Sequence, residues 1–328
     1  MHWIAHVEGG PRRVNHAATA VDHIIYTFGG FQTGAHYRKS TPIDIHILNT
    51  VTFRWTRLGK PIVYKYKKST CPVPFQRYGH SAVTYYRKIF IWGGRNETVS
   101  CNKLYCFDTE TLNWSKPAVS GDVPSPRDGH SACVIADRMY VFGGFTALTE
   151  KISNELYYLD LITMRWQHVV QEEFVPKFRD FHTATKIGPY MFVFGGRSDS
   201  VSALHSENDE YCPDIVYFDT DTHTWHKPVA TGDIPSGRRS HSAFAINGKL
   251  YIWGGYSGVT DEYFNDLYEF NPNTNIWTKI EANGIRPMPR RRQGCVVVDN
   301  KAFIFGGTRS VIVFITTLRA LLTNSVCT

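Results

Sequence analysis

The seven cysteines include no Cys-x-x-Cys pair and no cysteine at metal-ligand spacing from a histidine. That argues against a zinc ribbon or a dithiol redox site and fits a reducing compartment, so cytosol or nucleus is the expected location. The N-terminus lacks the basic and apolar regions of a secretory signal, so none is expected. The longest apolar stretch, Val311 to Leu322, carries Arg319 and is too short to span a bilayer, so no membrane association is expected. Phosphate-binding loops, nucleophile elbows, His-Glu-x-x-His motifs and paired catalytic carboxylates are all missing, so neither enzymatic activity nor a cofactor is expected. Charge is only mildly one-sided: a net +7 favours anionic partners without dictating the fold.

What the chain has in abundance is repetition. Six Gly-Gly pairs each close an apolar run, at Gly29, Gly93, Gly143, Gly195, Gly254 and Gly306 with the residue after each. An apolar, β-branched and aromatic run precedes every pair, as in Ile89-Phe90-Ile91-Trp92 and Met191-Phe192-Val193-Phe194. Such runs predict buried strands, and the glycines allow the backbone a tight path where strands crowd. Upstream of each pair lies an Arg-x-x-His signature: Arg13 to His16, Arg77 to His80, Arg127 to His130, Arg179 to His182 and Arg238 to His241. Its sixth copy reads as Arg291-Arg292-Gln293-Gly294, with the histidine lost. Downstream come a third strand, an Asp/Asn-rich turn and a tryptophan, at Trp55, Trp114, Trp166, Trp225 and Trp277. Each unit is thus four antiparallel strands of about fifty residues. One such sheet cannot bury both faces, but a ring of them can. The sixth tryptophan is missing from the C-terminal copy, and Trp3 in Trp3-Ile4-Ala5-His6-Val7 matches the outer-strand pattern. The N-terminal strand is therefore expected to complete the sixth unit and remove an open edge.

The paired glycines, aromatics and spaced tryptophans resemble the kelch-repeat family over nearly the whole chain. The fold expectation is an all-β, six-bladed kelch β-propeller over residues 1–310, followed by a divergent, truncated tail at 311–328. Three segments, Val7 to Ala18, Gly237 to Phe244 and Leu204 to Cys212, further resemble kelch proteins that serve as substrate receptors of cullin-2 RING ubiquitin ligases. That resemblance implies a non-catalytic module in the ubiquitin conjugation pathway. It would bind the C-terminal peptide of a client, ending in glycine, by its free carboxylate, and would partner elongin B/C and cullin-2. The binding boxes for those two are not visible in the tail, where Leu318, Leu321 and Leu322 are a faint echo. The same resemblance allows a second reading, a nuclear, chromatin-associated scaffold in meiosis.

In such receptors the carboxylate is held by basic and hydroxyl groups after a Gly-Gly pair and in the next Arg-x-x-His segment. The resemblance places this role on Arg197, Arg239 and Ser240, where a planar guanidinium meets a carboxylate bidentately. Further rim candidates are Arg179, Arg238, Phe145, Asp128 and Asp180, with Asp128 or Asp180 receiving a basic side chain next to the client's terminus. For a typical repeat arginine, bonding to backbone or to acids between blades is the expected role. Arg239 is the second of a doubled pair, which the repeat does not need. The once-per-blade histidines are expected as hydrogen-bonding core residues rather than metal ligands. Lys65 to Lys68 and Arg290-Arg291-Arg292 are expected as solvated basic runs.

Overall fold

The computed structural model describes residues 1–6, 10–32, 37, 41–59, 72–171, 174–199, 209–309 and 318–322. The basic run at 65–68, most of the segment 204–212 and most of the tail lie outside the described residues.

Six sheets of four or five strands and two short two-stranded ribbons are found among the described residues; the four main strands of each blade are antiparallel, and the fifth strand of the three five-stranded sheets pairs parallel to the outer strand. In blade 3 the order from axis to rim is Ser131–Ile135, Arg138–Phe142, Leu156–Asp160 and Arg165–Val169. The inner strands of neighbouring blades pack side by side and close on themselves, Ser242–Ile246 against Arg291–Val298 and that strand against Ala17–Val21. The last sheet combines Arg291–Val298, Lys301–Thr308, Leu318–Leu322 and His2–His6. The N-terminal strand therefore completes this blade, pairing antiparallel with Leu318–Leu322. That third strand comes from the stretch expected as a tail, so the propeller draws on residues beyond 310.

Repeated residues earn their places by tying each blade to the next. The tryptophan of each outer strand packs on the aromatic that precedes the Gly-Gly pair of the preceding blade. Ring centroids lie 5.5 Å apart for Trp166 and Trp92, 4.8 Å for Trp225 and Phe142, and 5.4 Å for Trp277 and Phe194. Trp114 meets Phe28 at 5.9 Å and Trp55 meets Phe305 at 5.3 Å. Trp3 meets Trp253 at 5.9 Å, filling the sixth position. Each such pair contributes about 0.5–1.5 kcal/mol beyond simple burial.

The signature arginine does two things at once. Arg127 donates from Nη1 to the Gly143 carbonyl of its own blade at 3.1 Å and from Nε to the Ser125 carbonyl at 3.2 Å. Its own carbonyl accepts from the Gly94 amide of the preceding blade at 2.8 Å. The same inter-blade bond runs from Gly30 to Arg77, Gly144 to Arg179, Gly196 to Arg238, Gly255 to Arg290 and Gly307 to Arg13, closing a ring. The second glycine is needed because the chains touch: a Cβ on Gly144, whose φ is +91°, would lie 2.8 Å from His130 Cβ.

This pattern corrects the register of the sixth copy. Arg290, not Arg291, makes the repeat's bonds, to the Gly306 carbonyl at 3.1 Å and the Met288 carbonyl at 3.2 Å. Gln293 then occupies the histidine position and donates to Ser242 Oγ at 3.0 Å, where His182 meets Ser131 Oγ at 2.7 Å and His241 meets Thr183 Oγ1 at 2.8 Å. In sequence the motif reads one residue late because three arginines, Arg290 to Arg292, compete for one slot.

Candidate functional site: the basic side of the propeller mouth

The axial opening is framed by two successive positions of the signature. The residue before the histidine, or before Gln293 in blade 6, sits at the axis: Asn15, Gly79, Gly129, Phe181, Ser240 and Arg292, all with φ between 52° and 67°. Their amides and carbonyls form a closed ring of six hydrogen bonds, from Asn15 to Arg292, Arg292 to Ser240, Ser240 to Phe181, Phe181 to Gly129, Gly129 to Gly79 and Gly79 to Asn15. Left-handed backbone suits glycine and asparagine, but it is unfavourable for Phe181 and Arg292. Their presence there is a strain held by the surrounding ring. A cavity of about 140 Å³ lies on this axis, lined by Phe181, Ser240, Arg292 and the histidine belt.

One residue earlier, each blade pairs a mouth residue with the residue after its Gly-Gly pair. The pairs are Val14 with Phe31, Tyr78 with Arg95, Asp128 with Phe145, Asp180 with Arg197, Arg239 with Tyr256, and Arg291 with Thr308. The mouth is therefore apolar, then acidic, then basic on going round from blade 1 to blade 6.

Arg197 is already engaged. Its Nη2 donates to Asp180 Oδ2 at 2.7 Å and its Nε to Oδ1 at 3.2 Å, a bidentate pair with a fully buried carboxylate. Burial works against its charge, but Asp180 outweighs this and raises its pKa. Arg239 differs: among the described residues no carboxylate bonds to it, and its Nε is buried without a hydrogen-bond partner. Its guanidinium rests 5.5 Å from the centroid of Tyr256 and 5.9 Å from that of Tyr211. Burial lowers its pKa, and Arg197 and Arg291 add to the effect. Arg291 stacks 4.2 Å from the Tyr256 centroid and 5.2 Å from that of Tyr263, again with a partnerless buried Nε. Arg292 is the most perturbed: burial first, then Arg291 and Arg239, bring its pKa down to about 10. Three guanidiniums thus share one corner of the mouth, with aromatic faces against Arg239 and Arg291 and no ion pair to any of the three among the described residues. Such a corner is built for an anion.

Of the residues expected at the site, Arg239 and Ser240 are at this corner, and Phe145, Asp128 and Asp180 are in the mouth layer. Arg179 and Arg238 are not on the rim. They are 2% and 0% exposed and spend their guanidiniums inside their blades, on the Gly195 and Gly254 carbonyls at 3.0 and 3.1 Å. They are the repeat arginines, needed by every blade. Arg291, Arg292, Tyr256, Tyr263 and Tyr211 were missed. The signal for the first two was the repeat itself: aligned on Arg290, they fall where blade 5 has Arg239 and Ser240.

The belt below carries Ser–His contacts, such as Ser131 Oγ and His182 Nε2 at 2.7 Å. They recur from blade to blade, and the Nδ1 atoms of His130, His182 and His241 are buried without a partner to orient them. Burial holds the belt histidines neutral, at about 4 for His16 and about 3 for His130 and His241. A repeated, sealed pair of this kind is packing, without the third group that a nucleophile and base need. Among the described residues, no three His, Cys, Asp or Glu side chains gather to hold a metal ion.

Fold and mouth together define a closed β-propeller with an axial opening lined by the signature residues. Residues 79–307 match the KLHDC2/KLHL20/DRC7 Kelch-repeats domain and residues 12–61 match a Kelch motif, so the chain belongs to the kelch-repeat family. It is 49% identical over 310 residues to Kelch domain-containing protein 3 of Bos taurus, covering 94% of this chain and 81% of the relative. It is 50% identical to the Mus musculus protein of that name over the same shares. Host cell factor of Drosophila melanogaster is 31% identical over 79% of this chain and 17% of that protein. The chain is a protein-interaction propeller.

Proposed function

We propose that the mouth binds the C-terminus of a client protein, with the free carboxylate held by Arg239, Arg291 and Arg292 and by the Ser240 hydroxyl. The supporting observation is the corner of three guanidiniums that make no ion pair among the described residues, each with a buried Nε lacking a hydrogen-bond partner. An internal peptide segment has no charge to offer there and leaves the arginines unpaired. A terminal glycine suits the position, because a side chain would compete with Phe181 and the axial backbone ring for the small cavity. In this reading Arg197 plays a different part from the one the resemblance implies: paired with Asp180 in its own blade, it forms part of the blade 4 wall.

In this reading the chain is the substrate-recognition subunit of a cullin-2 RING ubiquitin ligase, acting in cytosol or nucleus and doing no chemistry itself. Elongin B/C and cullin-2 are the partners that the resemblance implies. The test is binding of a fluorescent peptide ending in glycine, as the acid and as the C-terminal amide. The acid is expected to bind at least tenfold more tightly, the worth of one charge-assisted bond. Equal binding of the two sinks the carboxylate site. Binding that responds steeply to salt and favours nucleic acid would move the chromatin scaffold ahead.

A further inference from the structure

The repeat arginines lie inside their blades, away from the mouth, and one of them lacks the partner that others have. Three of them meet a carboxylate of their own blade: Arg13 pairs with Asp44, Arg127 with Glu155 at 2.8 Å and Arg238 with Asp266 at 2.5 Å. The acid stands at one repeat position, just before Ile45, Leu156 and Leu267, which pair with Phe28, Phe142 and Trp253 in the second strand. Blade 4 has Asp214 there, bonded to Lys227 at 2.5 Å. Of the five blades whose residue at this position is described, blade 2 alone has no acid: by the same register the residue is Lys103.

The other partners of the guanidinium change with it. Ser125 and Ser153, which bond to Arg127, correspond to Phe75 and Cys101 in blade 2. Arg77 keeps the backbone bonds of the repeat, to the Gly93 carbonyl at 2.9 Å and the Phe75 carbonyl at 3.0 Å. It is 0% exposed, and its Nη2 is buried without a hydrogen-bond partner. Neither Arg77 nor Lys103 makes an ion pair among the described residues. A sealed guanidinium whose counter-charge is replaced by a second cation is unfavourable for the fold, and blade 2 is one anion short. An anion at this place is within reach of the surface: the Glu155 side chain is 43% exposed while that of Arg127 is 0% exposed. The charge of the chain is concentrated in the same stretch of sequence. Residues 58–116 hold ten lysines and arginines against three aspartates and glutamates, which accounts for the whole net +7 and leaves the remainder balanced.

We propose that blade 2 docks an acidic segment of a partner protein, with an aspartate or glutamate carboxylate on Arg77 Nη2 and the Lys103 ammonium, in the place that Glu155 fills in blade 3. Blades 1, 3 and 5 all meet this arginine with a carboxylate on a side chain, so a guest residue of the same kind is the fitting occupant. The guest supplies the missing counter-charge, and the basic stretch steers an acidic partner toward it. The site is separate from the mouth and does not depend on how the mouth is used.

The probe is a short fluorescent peptide of alternating glutamate and serine, N-acetylated and C-amidated so that it offers the mouth no terminal carboxylate. Binding is measured by anisotropy for wild type, Lys103→Glu and Lys88→Glu. The last is a control of equal charge, at the far end of the strand that carries Gly93. Lys103→Glu restores the repeat's own pair, so it should weaken binding by at least about tenfold and raise the thermal midpoint. Lys103→Asp, the acid of blades 1 and 5, should behave alike, and Lys88→Glu should keep most of the wild-type affinity. A peptide that binds wild type and Lys103→Glu equally sits elsewhere, such as the arginine corner of the mouth, and overturns the proposal. Equal losses in Lys103→Glu and Lys88→Glu, or no binding to wild type, overturn it too. A midpoint that does not rise in Lys103→Glu shows that an acid here does not reach Arg77, with the same consequence. If inorganic phosphate alone raises the wild-type midpoint and not that of Lys103→Glu, while the peptide fails to bind, the site holds a small free anion and the docking of a partner falls.

Discussion

Two rings of residues sit one above the other at the axis, and they follow opposite rules. The belt has histidine in five blades and glutamine in the sixth, and four of these six reach a hydroxyl of the neighbouring blade. The mouth layer, two residues earlier in the chain, has Val14, Tyr78, Asp128, Asp180, Arg239 and Arg291, four residue types of opposed charge and polarity in six places. Both rings are spaced by the same backbone. The belt must satisfy the same geometry six times and converges on one answer. The mouth layer is under no such sixfold demand and changes in character from blade to blade. In a repeat protein, the copies that depart from the pattern are where recognition is to be sought.

The largest effect should come from breaking the belt with acid. Its histidines are buried and neutral, with pKa values depressed below the unfolded 6.5. Below that value the unfolded chain takes up protons that the native belt cannot, so stability is present near neutrality and lost as pH falls. His16, His130 and His241 alone give a slope of about 4 kcal/mol per pH unit between roughly pH 6 and 5, and His80 and His182 act in the same direction. Urea unfolding followed across pH 7 to 5 should show this loss, and His80→Gln should reduce the slope. His80 and His16 lack the hydroxyl partner that the others have: by the same register the facing residues are Ala17 and Gly294. His80 is therefore the substitution least confounded by a lost bond.

Next in size is the ring's closure. Trp3 is 3% exposed and supplies the sixth inter-blade aromatic contact. Trp3→Ala should destabilise by about 3–5 kcal/mol, read by chemical denaturation. Peptide affinity measured where the variant is still folded should change little, since the mouth does not use Trp3.

Substitutions at the mouth should show the reverse. Arg291→Ala and Arg239→Ala should lower peptide affinity by about 2 kcal/mol or more, roughly thirtyfold, with little change in thermal stability. The smallest effect, and the one with an unexpected sign, is at Arg292. Its φ is 61° and its charge is half-buried beside two other cations. Arg292→Gly should raise stability by about 1 kcal/mol while weakening peptide binding, the exchange expected where a site is held against the fold's preference.

The sequence analysis reached the fold because every blade says the same thing. Gly-Gly pairs, tryptophans and arginines announce their spacing six times, and even Trp3 could be assigned by elimination. The site was half legible. Arg239 stood out as an arginine the repeat did not require, and by the same logic Arg291 and Arg292 should have stood out too. They were hidden by a one-residue slip, since in a run of three arginines the repeat arginine cannot be told from its neighbours without its bonds to Gly306 and Met288. Arg179 and Arg238 were promoted to the rim because sequence does not show which guanidiniums turn inward to carbonyls. The raised pKa of Asp128 was invisible for a similar reason: it is set by burial first and then by charges from blades 2 and 4, which are distant in the chain.

The most direct test of the account is where the ligand's carboxylate is felt. The ratio of acid to amide affinity for one glycine-ending peptide should be measured in three proteins: wild type, Arg291→Gln/Arg292→Gln, and Arg197→Gln/Asp180→Asn. The account predicts that the ratio collapses toward one in the first double variant and largely survives in the second, because Arg197 and Asp180 neutralise each other and face the wall. A ratio that survives the loss of Arg291 and Arg292 but collapses with the Arg197–Asp180 pair would contradict it.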